Sequence, residues 1–157
     1  MKKVLIALDY DPTAQTVAES GYSFSKAMNA EVILLHVIGN STYYSSLEYS
    51  PIMGFSGFNN TGLLETYDVA VLKETSQEFL NRTKQQLGDE KILTIINEGD
   101  FAETILETAH DLRVDTIVLG SHNRKWLDKM LMGSVAEKVL AHARIPVLII
   151  PTEEQES

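Results

Sequence analysis

Gly120-Ser121-His122-Asn123-Arg124 and Gly133-Ser134 are the residues of this chain whose types and spacing best suit a chemical task. The apolar run Thr116-Ile117-Val118-Leu119 leads into Gly120, and Ser134-Val135-Ala136-Glu137 opens a helix with a capping box. A loop that leaves a strand at one glycine and enters a helix at another presents unpaired backbone N–H groups at both ends. The helix start adds its dipole, and together these are the means of holding a phosphate. Ser134 serves as a helix cap in any case, and Gly120 and Gly133 also suit tight turns.

Charge points the same way. Residues 121–144 hold Arg124, Lys125, Lys129, Lys138 and Arg144 against Asp128 and Glu137, a local net charge of +3. The whole chain of 157 residues carries -9, so the remainder carries -12. A basic island in an acidic chain predicts one anionic ligand at one place, not a general polyanion binder. The overall acidity argues against nucleic acid and anionic membrane as partners. The absence of Cys excludes a disulfide framework, a thiolate metal site and thiol catalysis.

The remaining residues supply a frame for that loop. Five apolar, β-branched runs recur, beginning at Val4, Val32, Ile92, Thr116 and Val147. They are nearly continuous rather than alternating, as strands of a parallel sheet covered on both faces are. Helical spacing fills the gaps. It is seen at Ala14, Val17, Ala18, Gly21, Ser25 and Met28, and again at Val69, Leu72, Ser76, Phe79, Leu80 and Thr83. Two further sets are Ala102, Ile105, Leu106, Ala109 and Leu112, and Val135, Val139, Leu140 and Ala143. Asp11-Pro12 predicts a helix start, and so does Asp100 three residues before Glu103. Right-handed crossovers make this alternation a three-layer α/β sandwich in one domain over residues 1–157. Residues 39–65, with Tyr43, Tyr44, Tyr49, Phe55 and Phe58, break the rhythm as a variable loop. Residues 152–157 read as a frayed acidic tail. Val4 to Leu8 is too short for a signal peptide or membrane span, which predicts a soluble cytoplasmic protein.

In such a sheet, ligands bind beyond the carboxyl ends of the strands, where strand order reverses. The candidates are therefore Asp9-Tyr10-Asp11, Val37-Ile38-Gly39, Asn97-Glu98-Gly99 and the Gly120 loop. A phosphoacceptor receiver domain would need an acid ending strand 3 and a Lys ending strand 5, where Asn97 and Pro151 stand. A flavodoxin would need a phosphate loop after strand 1, and Tyr10-Asp11-Pro12 supplies none. A Gly-x-Ser-x-Gly nucleophile elbow is absent. His36, His110 and His142 suit core or capping roles, and no residue stands out as a general base with a partner. The expected chemistry is binding, with at most slow hydrolysis.

At this loop the sequence resembles the universal stress protein family. The nucleotide-binding members of that family carry Gly-x2-Gly-x9-Gly-(Ser/Thr), which maps onto Gly120, Asn123, Gly133 and Ser134. Asp115 to His122, Leu131 to Leu140 and Ile145 to Ile150 look like family stretches, as do Lys3 to Asp9 and Glu31 to Val37. The resemblance implies an adenine nucleotide alpha hydrolase-like fold, a five-stranded parallel sheet of order 3-2-1-4-5. It implies ATP, ADP or AMP as ligand, with Mg2+ as a companion. The base and ribose would meet Asp9, with Ala7 and Leu8 beside it, and also Val37 and Leu119. The ribose and phosphates would meet Gly120, Ser121, His122, Asn123, Arg124, Gly133, Ser134 and Val135. Asn123 replaces the second glycine of the pattern, and Asn is the least costly non-Gly residue at positive φ. Some family members lack the loop and act through protein contacts, which is the alternative function. The resemblance also implies a homodimer through strand 5. Val147, Leu148, Ile149 and Ile150 form an uncharged edge open to pairing.

Overall fold

The computed structural model describes residues 1–39, 69–121 and 134–152, with Ser134 by its backbone alone. Their element order is β1 (Lys3–Ala7), α1 (Ala14–Ala27), β2 (Glu31–Ile38), α2 (Val69–Leu87), β3 (Leu93–Glu98), α3 (Phe101–Asp111), β4 (Thr116–Gly120), α4 (Ser134–His142) and β5 (Val147–Ile150). The five strands form one parallel sheet of order β3-β2-β1-β4-β5, as expected.

Alternate side chains along each strand feed two separate cores. On one face Leu5, Ile33, Leu35, Val37, Ile117 and Leu119 meet Ala102, Ile105 and Ala109 of α3 and Ala136 and Val139 of α4. On the other, Val4, Ile6, Val32, Leu34 and Val118 meet Val17 and Ala18 of α1 and Leu80 of α2. On α1, Gly21 faces the sheet with no room for a side chain. A Cβ there would stand 2.8 Å from Ile6 Cδ1 and 3.1 Å from Val118 Cγ1.

Apolar runs on both faces identify the central strands. The edge strands differ: β3 and β5 are only half-buried along most of their length. Strand β3 also starts later and ends later than the run from Ile92 to Ile96 suggests. Its partner β2 continues to Ile38, so Asn97 and Glu98 pair with Val37 and Ile38. Ile92 is buried just before the strand, while Leu93 is 51% exposed at its outer start. Val69 begins α2 but is exposed rather than part of the buried stripe of Leu72, Ser76, Leu80 and Thr83.

The start of α1 combines two features. The Asp11 carboxylate accepts from Thr13 N at 2.6 Å and also from the Thr13 hydroxyl. Ala14 N donates to Asp11 O at 3.1 Å, so a tight turn precedes the regular helix. Thr13, the residue before the helix proper, makes no side-chain cap. Asp100 caps α3 as expected, accepting from Glu103 N at 3.0 Å.

The expectation of a frayed tail over residues 152–157 is corrected at its first residue. Thr152 is 3% exposed, and its N–H donates to Ser121 Oγ at 3.0 Å. That bond clips the chain after β5 to the end of β4. Residues 153–157, and the aromatic segment apart from Gly39, lie outside the described residues.

Candidate functional site

The reversal of strand order falls at β1. It pairs with β2 through Ala7↔Leu35, but its pairing with β4 stops at Ile6↔Val118. Beyond that point the two strands diverge, and a crevice opens between Ala7 and Leu119. Parallel crossovers also bring helix N-termini to this edge, here those of α3 and α4.

A pocket of about 100 Å³ occupies the crevice. Ala7, Leu8 and Asp9 of the β1 end, Val37 of β2, Leu119 and Gly120 of β4 and Val135 of α4 line it. All of them were expected from the sequence. Leu35, Phe101, Ile105 and Ala136 complete the lining and were not. Leu35, Phe101 and Ile105 carried a readable signal. Leu35 is two residues from Val37 and so shares its face. Phe101 and Ile105 lie one helical turn apart directly after the Asp100 cap. The walls are mostly apolar, with the exposed Asp9 the acidic group among them. A smaller recess of about 10 Å³, bordered by Asp9, Asp11, Thr13 and Gly120, adjoins it on the α1 side.

The position of Asp9 is set from behind. Leu8 N donates to Leu35 O at 2.8 Å, and Leu8 O accepts from His36 Nδ1 at 2.9 Å. Both backbone groups of Leu8 are therefore tied to β2. His36 lies on the opposite face of the sheet from the pocket, edge-on to Phe79 with ring centroids 5.9 Å apart. Burial holds its pKa below the ordinary imidazole value, opposed by the hydrogen bond to Leu8 and the nearby Asp9 carboxylate. With Nδ1 donating, the neutral ring leaves Nε2 bare, and that atom is buried without a partner. Tyr10 turns away from the pocket, its ring 4.7 Å from that of Phe79.

Gly120 is needed at its place for packing. A Cβ would lie 2.8 Å from Val17 Cγ2 and 3.3 Å from Thr152 Cγ2. Ser121 is set apart from the pocket lining. Its N–H donates to Ile150 O at 3.0 Å and its buried hydroxyl is engaged with Thr152. Both of its donor groups serve the β4–β5 junction. His122, Asn123, Arg124 and Gly133 lie outside the described residues, as does the side chain of Ser134.

Of the basic island, Lys138 and Arg144 belong to the described residues. Arg144 sits between α4 and β5, at the amino-terminal edge of the sheet and far from Gly120. Arg124, Lys125 and Lys129 lie outside the described residues. Helix α4 carries the chain from one edge of the sheet to the other. Among the described residues, no three of His, Asp and Glu converge to hold a metal ion. No described helix is long and apolar enough to cross a membrane.

Fold and crevice together define a parallel α/β domain of the kind that takes a ligand at the switch point between two diverging strands. The chain belongs to the universal stress protein family, whose model matches residues 1–151. It is 32% identical over 154 residues to universal stress protein MJ0577 of Methanocaldococcus jannaschii, covering 95% of this chain and 94% of that one. It is 25% identical over 160 residues to the stress response protein NhaX of Bacillus subtilis, covering 94% and 96% of the two chains. The solved structure of MJ0577 superposes with a TM-score of 0.73 at 31% identity, over 98% of each chain. A universal stress protein solved in complex with cAMP superposes with a TM-score of 0.60 at 18% identity over 95% of each chain, a likeness of fold.

Proposed function

We propose that this chain binds an adenine nucleotide, with ATP the first choice and ADP or AMP the alternatives, at the carboxyl ends of β1, β2 and β4. One observation carries the reading: Ala7, Leu8, Asp9, Val37, Leu119, Gly120 and Val135 line a single pocket at the switch point. Its apolar walls, Val37, Leu119 and Ile105 among them, suit the faces of a purine. Asp9 at the rim suits a ribose hydroxyl, which a carboxylate accepts from strongly. The Gly120-to-Ser134 spacing suits the phosphates, which would lie toward the start of α4. The solved relative with cAMP is itself a complex with an adenine nucleotide. Any Mg2+ would be held chiefly by the phosphates, since the Asp11 carboxylate is already engaged by Thr13.

Mass spectrometry of the protein purified from cells and denatured should release an adenine nucleotide. Added Mg-ATP should raise the melting temperature. Gly133→Asp, which sets a carboxylate against the phosphates, should abolish affinity and leave the fold intact. Absence of both bound nucleotide and thermal shift would favour the alternative, a stress protein acting through protein contacts alone. The proposed assembly is a homodimer paired through Val147 to Ile150, and the proposed location is the cytoplasm.

A further inference from the structure

A second pocket, of about 510 Å³, lies at the opposite edge of the sheet. It sits where α3 and α4 end and the chain turns back into β4 and β5. Its floor is apolar, built from Leu106, Ala109, Val114, Ile117 and Ile145. Ala109, Val114 and Ile117 belong to the main core, so the floor is the rigid back of the sheet. Its rim holds His110, Arg113, His142 and Arg144, all exposed, and no acidic residue. Neither arginine has an ion-pair partner among the described residues. In a chain of net charge -9, a pocket edged by two arginines with no ion pair among the described residues is against the general balance.

Two simpler roles for these charges fall short. Basic residues complement helix C-termini, each worth roughly half a negative charge. Two helix ends thus balance about one of the two arginines and leave a surplus of about one positive charge. Several carbonyls near the two helix ends also already have other donors. Leu112 N reaches Thr108 O at 3.0 Å, Val114 N reaches Ala109 O at 2.9 Å and Ala143 N reaches Val139 O at 2.8 Å. His142 Nδ1 takes Lys138 O at 2.9 Å. Arg113 holds φ at 54°, a conformation where glycine or asparagine costs less. Its long cationic side chain therefore stands at the rim despite the backbone penalty.

We propose that this pocket binds a small organic monoanion with an apolar body, such as a medium-chain carboxylate. The hydrocarbon would lie on Leu106, Ala143 and Ile145, which are half-buried, and the carboxylate between Arg113 and Arg144. The volume is in the range of small-molecule sites, roughly 300–1,000 Å³. An arginine fork matches a carboxylate better than any other side chain does. The site is separate from the nucleotide pocket, since the two lie at opposite ends of the strands.

The test is calorimetric titration of the full chain with octanoate and, as uncharged control, octanol. Octanoate should bind at one site per chain and at least tenfold more tightly than octanol. Saturating Mg-ATP should not displace it. Arg113→Gln with Arg144→Gln should weaken octanoate at least tenfold and leave the effect of Mg-ATP on melting unchanged. Methyl NMR of the unmodified protein covers the case of an unstable variant: octanoate should shift Leu106 and Ile145, not Val37 and Leu119. Absent octanoate binding, octanol binding as tight as octanoate, competition by Mg-ATP, undiminished binding in the double variant, or shifts confined to Val37 and Leu119 would each overturn the proposal.

Discussion

His36 shows how much one side chain behind the site can govern. Its ring is buried, neutral and singly bonded, and protonation would put into the core a charge that the Leu8 carbonyl and the nearby Asp9 carboxylate offset only in part. Burial lowers its pKa in the folded state below the ordinary 6.5, so the unfolded chain binds the proton first. Stability from this group is therefore full above about 6.5 and lost as pH falls below it, by at most about 1.4 kcal/mol per pH unit. Urea unfolding at pH 7.5 and 5.0 measures the loss, and His36→Leu should flatten the difference between the two. Ser121 offers a second residue-scale case. Ser121→Ala would strip the acceptor from the buried Thr152 N–H, and we expect a loss of about 1–3 kcal/mol in the same assay. The site residues differ in how far the sequence revealed them. Asp9, Val37, Leu119 and Gly120 end apolar runs, and parallel strands bring such ends to one edge, so they were legible. The use of Ser121 was not, because its partner lies 31 residues away and nothing near Thr152 marks it.

Among the elements, α1 carries the sharpest packing constraint. Gly21→Ala raises intrinsic helix propensity by about 1 kcal/mol. The added Cβ meets Ile6 and Val118, both fully buried, and overpacking of this kind costs about 1–3 kcal/mol. The clash should win, lowering the midpoint of urea unfolding, and Gly21→Leu should lower it further. A more stable Gly21→Ala protein would mean that α1 can move away from the sheet. The existence and type of every described element were readable from periodicity, yet the ends were less so. Strand β3 is displaced because its limits follow β2, a tertiary partner, and not its own apolar run. Helix α1 starts late because Asp11 and Thr13 build a turn first. Arg113 ends α3 in a left-handed conformation that no residue type there announces.

For the whole molecule, the arrangement of charge and edge decides what the chain can meet. The proposed pairing through β5 predicts a dimer by sedimentation at micromolar concentration, and a monomer would count against it. The edge on offer is short, four residues between Pro146 and Pro151, so the pairing would need side-chain contacts around it. The sequence placed its positive charges in one island because it is read in one dimension. Helix α4 carries Arg144 to the other edge, where Arg113 from a separate loop joins it.

The divergence of β1 from β4 also bears on how the chain is made. Strands β1, β2 and β3 are the first three synthesised and lie side by side on one half of the sheet. They can associate before β4 exists, so the N-terminal half supplies one wall of the crevice early. The other wall, with Leu119, Gly120, Val135 and Ala136, arrives only with β4 and α4. Thr152 then closes the junction from the far end of the described chain. A chain that lacks β4 and α4 thus has only one wall, and occupancy of the crevice would mark a chain in which they have joined the first three strands.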